Sequence, residues 1–288
     1  MDRHGIRAHS KLTRKLPSAF LIDWDETITK GDTIHLVAEA SNATKKRDPP
    51  FEYYVSVYNR AYDDYKQEFL TKRGEVNSIE KEMDFQRGMK KVEMSSVNEL
   101  CKLKFFEGLT VQNLVAQSSK VSLRENFLDF LGKCRLYNVP VIILSVNWTK
   151  LIMESVLRSH GFSEDSMDIQ YIVNELEFSG GVCTGVFDSS RSVRTGIDKL
   201  EYLVKVRSTL GDVCYIGDSS TDIPCLVNSD AGIVMENGSA IKSLQKINVS
   251  LSSLSQFDTL EKDVVYYGNW HDISAHFFKN HLDTKKTD

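Results

Sequence analysis

Four short runs of uninterrupted apolar residues punctuate the chain: Ala19–Ile22, Val139–Leu144, Val213–Ile216 and Ala231–Met235. Apolar runs of this length, without polar alternation, read as strands buried on both faces of a parallel sheet. Three of them close on a small polar or acidic residue: Asp23, Ser145, and Asp218 after Gly217. Helical periodicity fills the intervals. Ser122 and Glu125 have capping-box spacing ahead of Leu123, Phe127, Phe130, Leu131 and Cys134. A second helix is predicted from about Thr149 to Gly161, and a third from near Asp198 to Gly211. This alternation predicts an α/β fold, a Rossmann-like parallel sheet with right-handed crossovers. Such sheets bind ligands beyond the carboxyl ends of their strands, where Asp23, Ser145 and Asp218 stand.

From about His35 to Ser118 the alternation stops. Phe51, Tyr54, Tyr58, Tyr62, Tyr65 and Phe69 recur every three or four residues, a stripe that reads as helix packing. Met83, Phe85, Met89 and Val92 continue a helical pattern. The expected organisation is a discontinuous core, residues 1–34 and 119–260, interrupted by an all-α cap at 35–118. Residues 261–288, with Trp270, His271 and Asp272, are expected as a C-terminal extension ending in a disordered polar tail.

Composition narrows the function classes. With 41% hydrophobic and 26% charged residues and a net charge of -4, the chain lacks the basic stripe of a nucleic-acid binder. No apolar run approaches the ~20 residues of a membrane span, so neither nucleic acid nor membrane is an expected partner. Five scattered cysteines, an odd number without a C-x-x-C pair, argue for a reducing setting. Arg3, Arg7, Lys11, Arg14 and Lys15 form a basic leader with little apolar face. It reads as part of a cytoplasmic protein rather than as a mitochondrial presequence.

The densest chemistry is Asp23-Trp24-Asp25-Glu26-Thr27-Ile28-Thr29, two carboxylates two residues apart just past a buried strand. Close like charges raise each other's pKa unless a cation offsets them, and Mg²⁺ held by one or two carboxylates and a substrate phosphate does so. Asp218 and Asp222 form a second acidic pair past another strand. Ser145 offers a hydroxyl, and Lys199 a positive charge at a helix start, with Lys205 as the alternative. Phosphoryl transfer requires a nucleophile, a cation, donors to the equatorial oxygens and a proton carrier. All four are present at one sheet edge. The bland readings are Ser145 as a strand-end cap and Asp222 or Asp32 as helix caps.

The ordered set Asp23-x-Asp25, Ser145, Lys199 and Gly217-Asp218-x-x-x-Asp222 resembles the four motifs of the haloacid dehalogenase superfamily, in its phosphoserine-phosphatase-like branch. Asn174-Glu175-Leu176 followed by Gly180 to Gly185 is similar to a hairpin of that branch, and the wording around Asp23 and Ser145 resembles uncharacterised fungal members. The resemblance implies Asp23 as nucleophile and Mg²⁺ ligand. Asp25 is then general acid and base, its carbonyl also on the metal. Asp218 is a further ligand, Asp222 a ligand or an orienting group, and Ser145 and Lys199 the phosphate holders. An acid at Asp25 separates phosphatases from dehalogenases and from phosphorylated-aspartate ATPases. The sequence departs from the branch at Val146 and Asn147, where glycines are usual, at Thr221, and at Asp32, which replaces a substrate-facing Glu. Asp32 and Asn147 are therefore the specificity candidates. The expected function is Mg²⁺-dependent hydrolysis of a small phosphorylated metabolite through an aspartyl-phosphate. The alternatives are a catalytically idle binding or regulatory protein of the same fold, or a phosphotransferase using an acceptor other than water.

Overall fold

The computed structural model describes residues 16–163, 169–256, 260–261 and 263–279; the basic leader and the polar tail lie outside them. Strand β1 (Ala19–Ile22) is followed by helices α1 (Ile34–Thr44), α2 (Phe51–Arg73), α3 (Ile79–Lys102), α4 (Val111–Val115) and α5 (Phe127–Tyr137). Then come β2 (Val141–Leu144), α6 (Leu151–Ser159), β3 (Ile169–Ile172), the hairpin β4 (Leu176–Ser179) and β5 (Val182–Phe187), and α7 (Gly196–Leu210). The chain continues through β6 (Val213–Gly217), α8 (Ile223–Leu226), β7 (Ala231–Met235), α9 (Ala240–Lys246), β8 (Ser250–Ser253), β9 (Val264–Gly268) and α10 (Trp270–Phe278).

Seven strands form one sheet in the order β3-β2-β1-β6-β7-β9-β8, and every pairing in it is parallel. The expected α/β class and Rossmann-like sheet are what the chain adopts. Strand order reverses around β1, whose Ile22 pairs with Ile143 on one side and Ile216 on the other. That register brings Asp23, Ser145 and Asp218 to one edge, at the crevice such a reversal opens. Successive residues of β1 serve opposite faces. Phe20 and Ile22 join one apolar cluster with Trp270 and Phe277, while Ala19 and Leu21 join another with Leu203 and Ile223.

Between β1 and β2, α2 and α3 pack as an antiparallel pair. The aromatic stripe does the packing. Tyr65 and Phe69 lie against Phe85 at 5.1 and 5.2 Å between ring centroids, and Tyr65 donates to the Phe85 carbonyl at 2.8 Å. Gly88 makes this approach possible, since a Cβ there would stand 2.1 Å from the Tyr65 hydroxyl oxygen. Helix α3 reaches the core through Leu100, which joins the main apolar cluster, and through polar side chains. Gln86 Nε2 donates to the Ser220 carbonyl at 3.1 Å, and Lys90 Nζ to Asp198 Oδ2 at 2.6 Å. Glu93 accepts from the Tyr58 hydroxyl at 3.1 Å, and burial pushes its carboxyl up to about 7.

Two sequence expectations need correction. The helix assigned to the Ser122–Glu125 cap begins at Phe127, behind an Asn126 in the left-handed region, because Leu123 bridges Thr29 and holds that stretch extended. Residues 263–278 pack into the core rather than extend from it. β9 is an interior strand between β7 and β8, and α10 buries Trp270, Ile273, Phe277 and Phe278. The polar residues between 248 and 263 hide this pattern from a reading of short apolar runs. Trp270 packs edge-on against Phe127 and tilted against Phe130, at 4.9 Å each, and its Nε1 donates to the Thr27 carbonyl at 3.0 Å.

Trp270→Ala is expected to cost about 3–5 kcal/mol, read by urea denaturation, and Trp270→Phe, which loses the hydrogen bond and part of the ring, about 1 kcal/mol or somewhat more. Glu93 gives a pH signature. Tyr58, Arg194 and Lys90 oppose the burial that raises its pKa, and Asp198 adds to it. Its folded value lies above the ordinary 4.5, so its contribution is full below pH 4.5 and is lost as pH rises through about 7. In Glu93→Gln this loss is absent, and the mutant's urea midpoint should gain on that of wild type between pH 5 and pH 8.

Candidate active site

The buried strand β1 delivers Asp23 to the sheet edge, where its N–H donates to the Ile216 carbonyl at 2.9 Å. Helix α7 delivers Lys199 within its first turn. Thr195 is the N-cap, with Asp198 completing a capping box, so the start of this helix is locally encoded. Lys199 is fully buried, its ammonium 2.8 Å from Asp23 Oδ1 and 2.7 Å from Asp222 Oδ1. Burial would lower the pKa of this lysine, but the two carboxylates outweigh it and raise the value.

Asp222 is saturated with donors. Its Oδ1 takes Lys199 and the Tyr215 hydroxyl at 2.6 Å; its Oδ2 takes the N–H groups of Asp218 and Ser219 at 3.0 and 2.9 Å and the Ser219 hydroxyl at 3.1 Å. Burial favours its neutral form, yet the ammonium and these donors hold the pKa below the ordinary value. The loop can fold over Asp222 because residue 217 is glycine: a Cβ there would come within 2.4 Å of Asp222 Cγ.

Asp23 and Asp218 are the under-satisfied members. Asp23 Oδ1 is buried, and its contact there is the ion pair with the Lys199 ammonium. Burial raises the Asp23 pKa well above the usual range; Lys199 opposes the shift and Asp222 and Asp218 add to it. Asp218 accepts from the Thr27 hydroxyl at 3.0 Å, and burial with Asp222 nearby pushes it to about 7. One oxygen from each of Asp23, Asp218 and Asp222 lies within 4.8 Å of the others. A hard cation fits this set, because its charge relieves two buried carboxylates whose oxygens are short of donors.

Asp25 belongs to a separate hydrogen-bond system. Its Oδ1 accepts from Thr33 N–H at 2.7 Å and Thr33 Oγ1 at 2.6 Å, and its Oδ2 from Asn147 Nδ2 at 2.9 Å. The Thr33 hydroxyl is oriented in turn by Trp24 Nε1 and Asn147 Nδ2, both at 3.1 Å. Burial raises Asp25 to about 6 against these bonds. Ser145 is fully buried; its Oγ accepts from Asn147 N–H at 3.1 Å, which leaves its own proton to give.

The structure therefore brings together Asp23, Asp25, Ser145, Lys199, Asp218 and Asp222. It places the two specificity candidates differently. Asn147 turns its amide onto Asp25. Asp32 is exposed and folds its Oδ1 onto the Ile34 N–H at 2.7 Å, a local turn ahead of α1. Thr33 and Tyr215 had no motif to announce them, and Thr27 stood in the Asp23–Thr29 segment without an assigned role. Nor did a motif announce the full role of Asn174, whose side chain ties the carbonyls of Val146, Asn147 and Val193 together at 2.7–2.9 Å.

A CTO1 family protein of Schizosaccharomyces pombe is 28% identical over 236 residues, covering 76% of this chain and 81% of that protein. Cold tolerance protein 1 of Saccharomyces cerevisiae is 23% identical over 256 residues, covering 77% and 80%. Among solved structures, a substrate-bound phosphoserine phosphatase shares 15% identity at a TM-score of 0.51, over 81% of this chain and 92% of that one. Cytosolic 5′-nucleotidase IIIB bound to cytidine shares 14% at 0.52, over 93% and 87%. At these identities the structural likeness speaks for the fold. The family is given by sequence: the haloacid dehalogenase-like hydrolase pattern matches residues 20–227, and the chain belongs to that family.

Proposed function

We propose that the protein is a Mg²⁺-dependent phosphomonoester hydrolase for a small phosphorylated metabolite, working through an aspartyl-phosphate on Asp23. The observation that carries this reading is the division of labour between the two carboxylates. Asp23 is held by the Lys199 ammonium at 2.8 Å, whereas Asp25, two residues on, is held by Thr33 and Asn147 at about 6. Two carboxyl groups in different environments are what a nucleophile and a general acid need.

In the first half-reaction an Asp23 oxygen attacks phosphorus, the bond from phosphorus to the alcohol oxygen breaks, and Asp25 gives its proton to that oxygen. In the second, Asp25 takes a proton from water as the water attacks phosphorus, releasing inorganic phosphate and the free Asp23 carboxylate. The Ser145 hydroxyl and the Lys199 ammonium hold the equatorial oxygens. Asp23, Asp218 and the Asp25 carbonyl would hold Mg²⁺, whose charge offsets that of the phosphoryl group. Asp222, with five donors already, acts by fixing Lys199 and the 218–219 backbone. The helices from 35 to 118 serve as a lid, with Gln86 and Lys90 of α3 meeting the turn at Ser220 and the first turn of α7 at Asp198.

The test is phosphate release from p-nitrophenyl phosphate and a phosphomonoester panel with and without Mg²⁺. Asp23→Asn should abolish turnover, by at least about 10³-fold. Asp25→Asn should lose about 10²–10⁴-fold on alkyl phosphates and less on p-nitrophenyl phosphate, whose leaving group needs no proton. An inactive wild type, or label moving from the ester to an added alcohol rather than to water, would overturn the hydrolase reading. Lys199→Met leaves two buried carboxylates without their cation and should destabilise the fold by about 3–5 kcal/mol at neutral pH, read by denaturation.

A further inference from the structure

The groups above address a phosphoryl group and leave the alcohol half of the ester unread. One buried side chain near them has no work in that scheme. Arg194 directly precedes Thr195, the N-cap of α7, and is only 5% exposed. A guanidinium carries five N–H donors. Among the described residues none of those five donates to the protein, and Nη1 is fully buried without a partner. The contact it does make is with the Phe187 ring, 4.2 Å from guanidinium carbon to centroid. Leaving a buried charge without hydrogen bonds is costly, and native structures that do so call for an explanation, of which a missing ligand is one.

Its position suggests which ligand. Thr195 stands about one helical turn, roughly 5.4 Å, from Lys199, whose ammonium touches Asp23. On the other side, Val193 exchanges two hydrogen bonds with the Asn174 side chain, which also donates to the carbonyls of Val146 and Asn147. Asn147 in turn holds Asp25, the group assigned to the leaving oxygen. The Phe187 ring under the guanidinium packs edge-on against Trp148 at 6.0 Å, the residue after Asn147.

Glu93 and Asp198 act on the guanidinium through space, but neither touches it. Asp198 Oδ2 is taken by Lys90 at 2.6 Å and by the N–H groups of Arg194 and Thr195 at 2.7 and 3.0 Å. Glu93 is taken by Tyr58. Neither carboxylate forms an ion pair with Arg194 within 4 Å among the described residues.

We propose that Arg194 is a specificity-determining residue that takes an anionic group on the alcohol half of the ester, a carboxylate or a second phosphate. The substrate is then a small phosphate ester with two separate anionic groups. This deepens the phosphatase reading and rests on it. The planar fork of arginine matches carboxylate and phosphate oxygens two at a time, a match that lysine cannot reproduce.

The experiment uses two matched pairs on the full chain: 3-phosphoglycerate against glycerol 3-phosphate, and fructose 1,6-bisphosphate against fructose 6-phosphate. The readout is the ratio of kcat/KM within each pair. In wild type the ratio should exceed about tenfold for one pair, which also distinguishes carboxylate from phosphate, and should fall towards one in Arg194→Met. Arg194→Lys should lie between them, and it carries the comparison if the Met variant does not fold. Ratios near one for both pairs in wild type, or a ratio that both variants retain, would overturn the assignment. If no ester is hydrolysed, the phosphatase reading fails separately. The same ratio is then read from ligand-induced shifts in Tm: selective stabilisation of wild type by the doubly anionic member, lost in the variants, supports Arg194, and equal shifts refute it.

Discussion

The site depends on one ammonium group sealed between two carboxylates. Lys199 has no exposed surface, and neither has Asp222; Asp23 is nearly as deep. An isolated buried charge would neutralise itself, and a buried pair repays its desolvation only when the remaining lone pairs and protons are satisfied. Asp222 meets that condition through five donors, including the backbone of the loop that carries Asp218. The lysine thus holds Asp23 in place from one side and, through Asp222, sets the loop opposite. Glycine at 217 and the capping box at Thr195 are the local conditions for this arrangement.

That arrangement leaves an imbalance which has a chemical use. Lys199 supplies one positive charge for Asp23 and Asp222, and Asp218 lies close by with a single hydroxyl donor. Two carboxyl groups consequently hold their protons well above the ordinary carboxylate range, a state that a divalent cation would relieve. Asp25 is insulated from the lysine by its own network of Thr33, Trp24 and Asn147. Neighbours in sequence therefore have different partners and different proton affinities, the pattern from which acid and nucleophile roles are built.

Distant parts of the chain hold these two networks at a fixed spacing. Trp270, from the last helix, hydrogen-bonds the Thr27 carbonyl inside the Asp23–Thr29 loop, and the Thr27 hydroxyl reaches Asp218. Asn174 ties the Ser145–Trp148 loop to the segment leading into α7. Helix α3 is anchored in the core by Leu100 and meets the Ser220 and Asp198 segments through the polar side chains of Gln86 and Lys90. Arg194 lies at that boundary.

Much of this was legible in the chain. The apolar runs ending on Asp23, Ser145 and Asp218 determine a parallel sheet and its functional edge, because a strand buried on both faces has no other way to be written. The aromatic spacing from Phe51 to Phe69 determines helix packing for the same reason. Only the tertiary structure decided what lay in polar or broken sequence. It placed β9 inside the sheet, made α10 a support for the loop around Thr27, turned Asp32 onto its own backbone and set Asn147 against Asp25. It also decided that Arg194 is buried with its Nη1 lacking a hydrogen-bond partner. The physical reason is range: periodicity and capping report contacts within one element, whereas hydrogen bonds between residues 100 to 240 positions apart leave no local pattern to read.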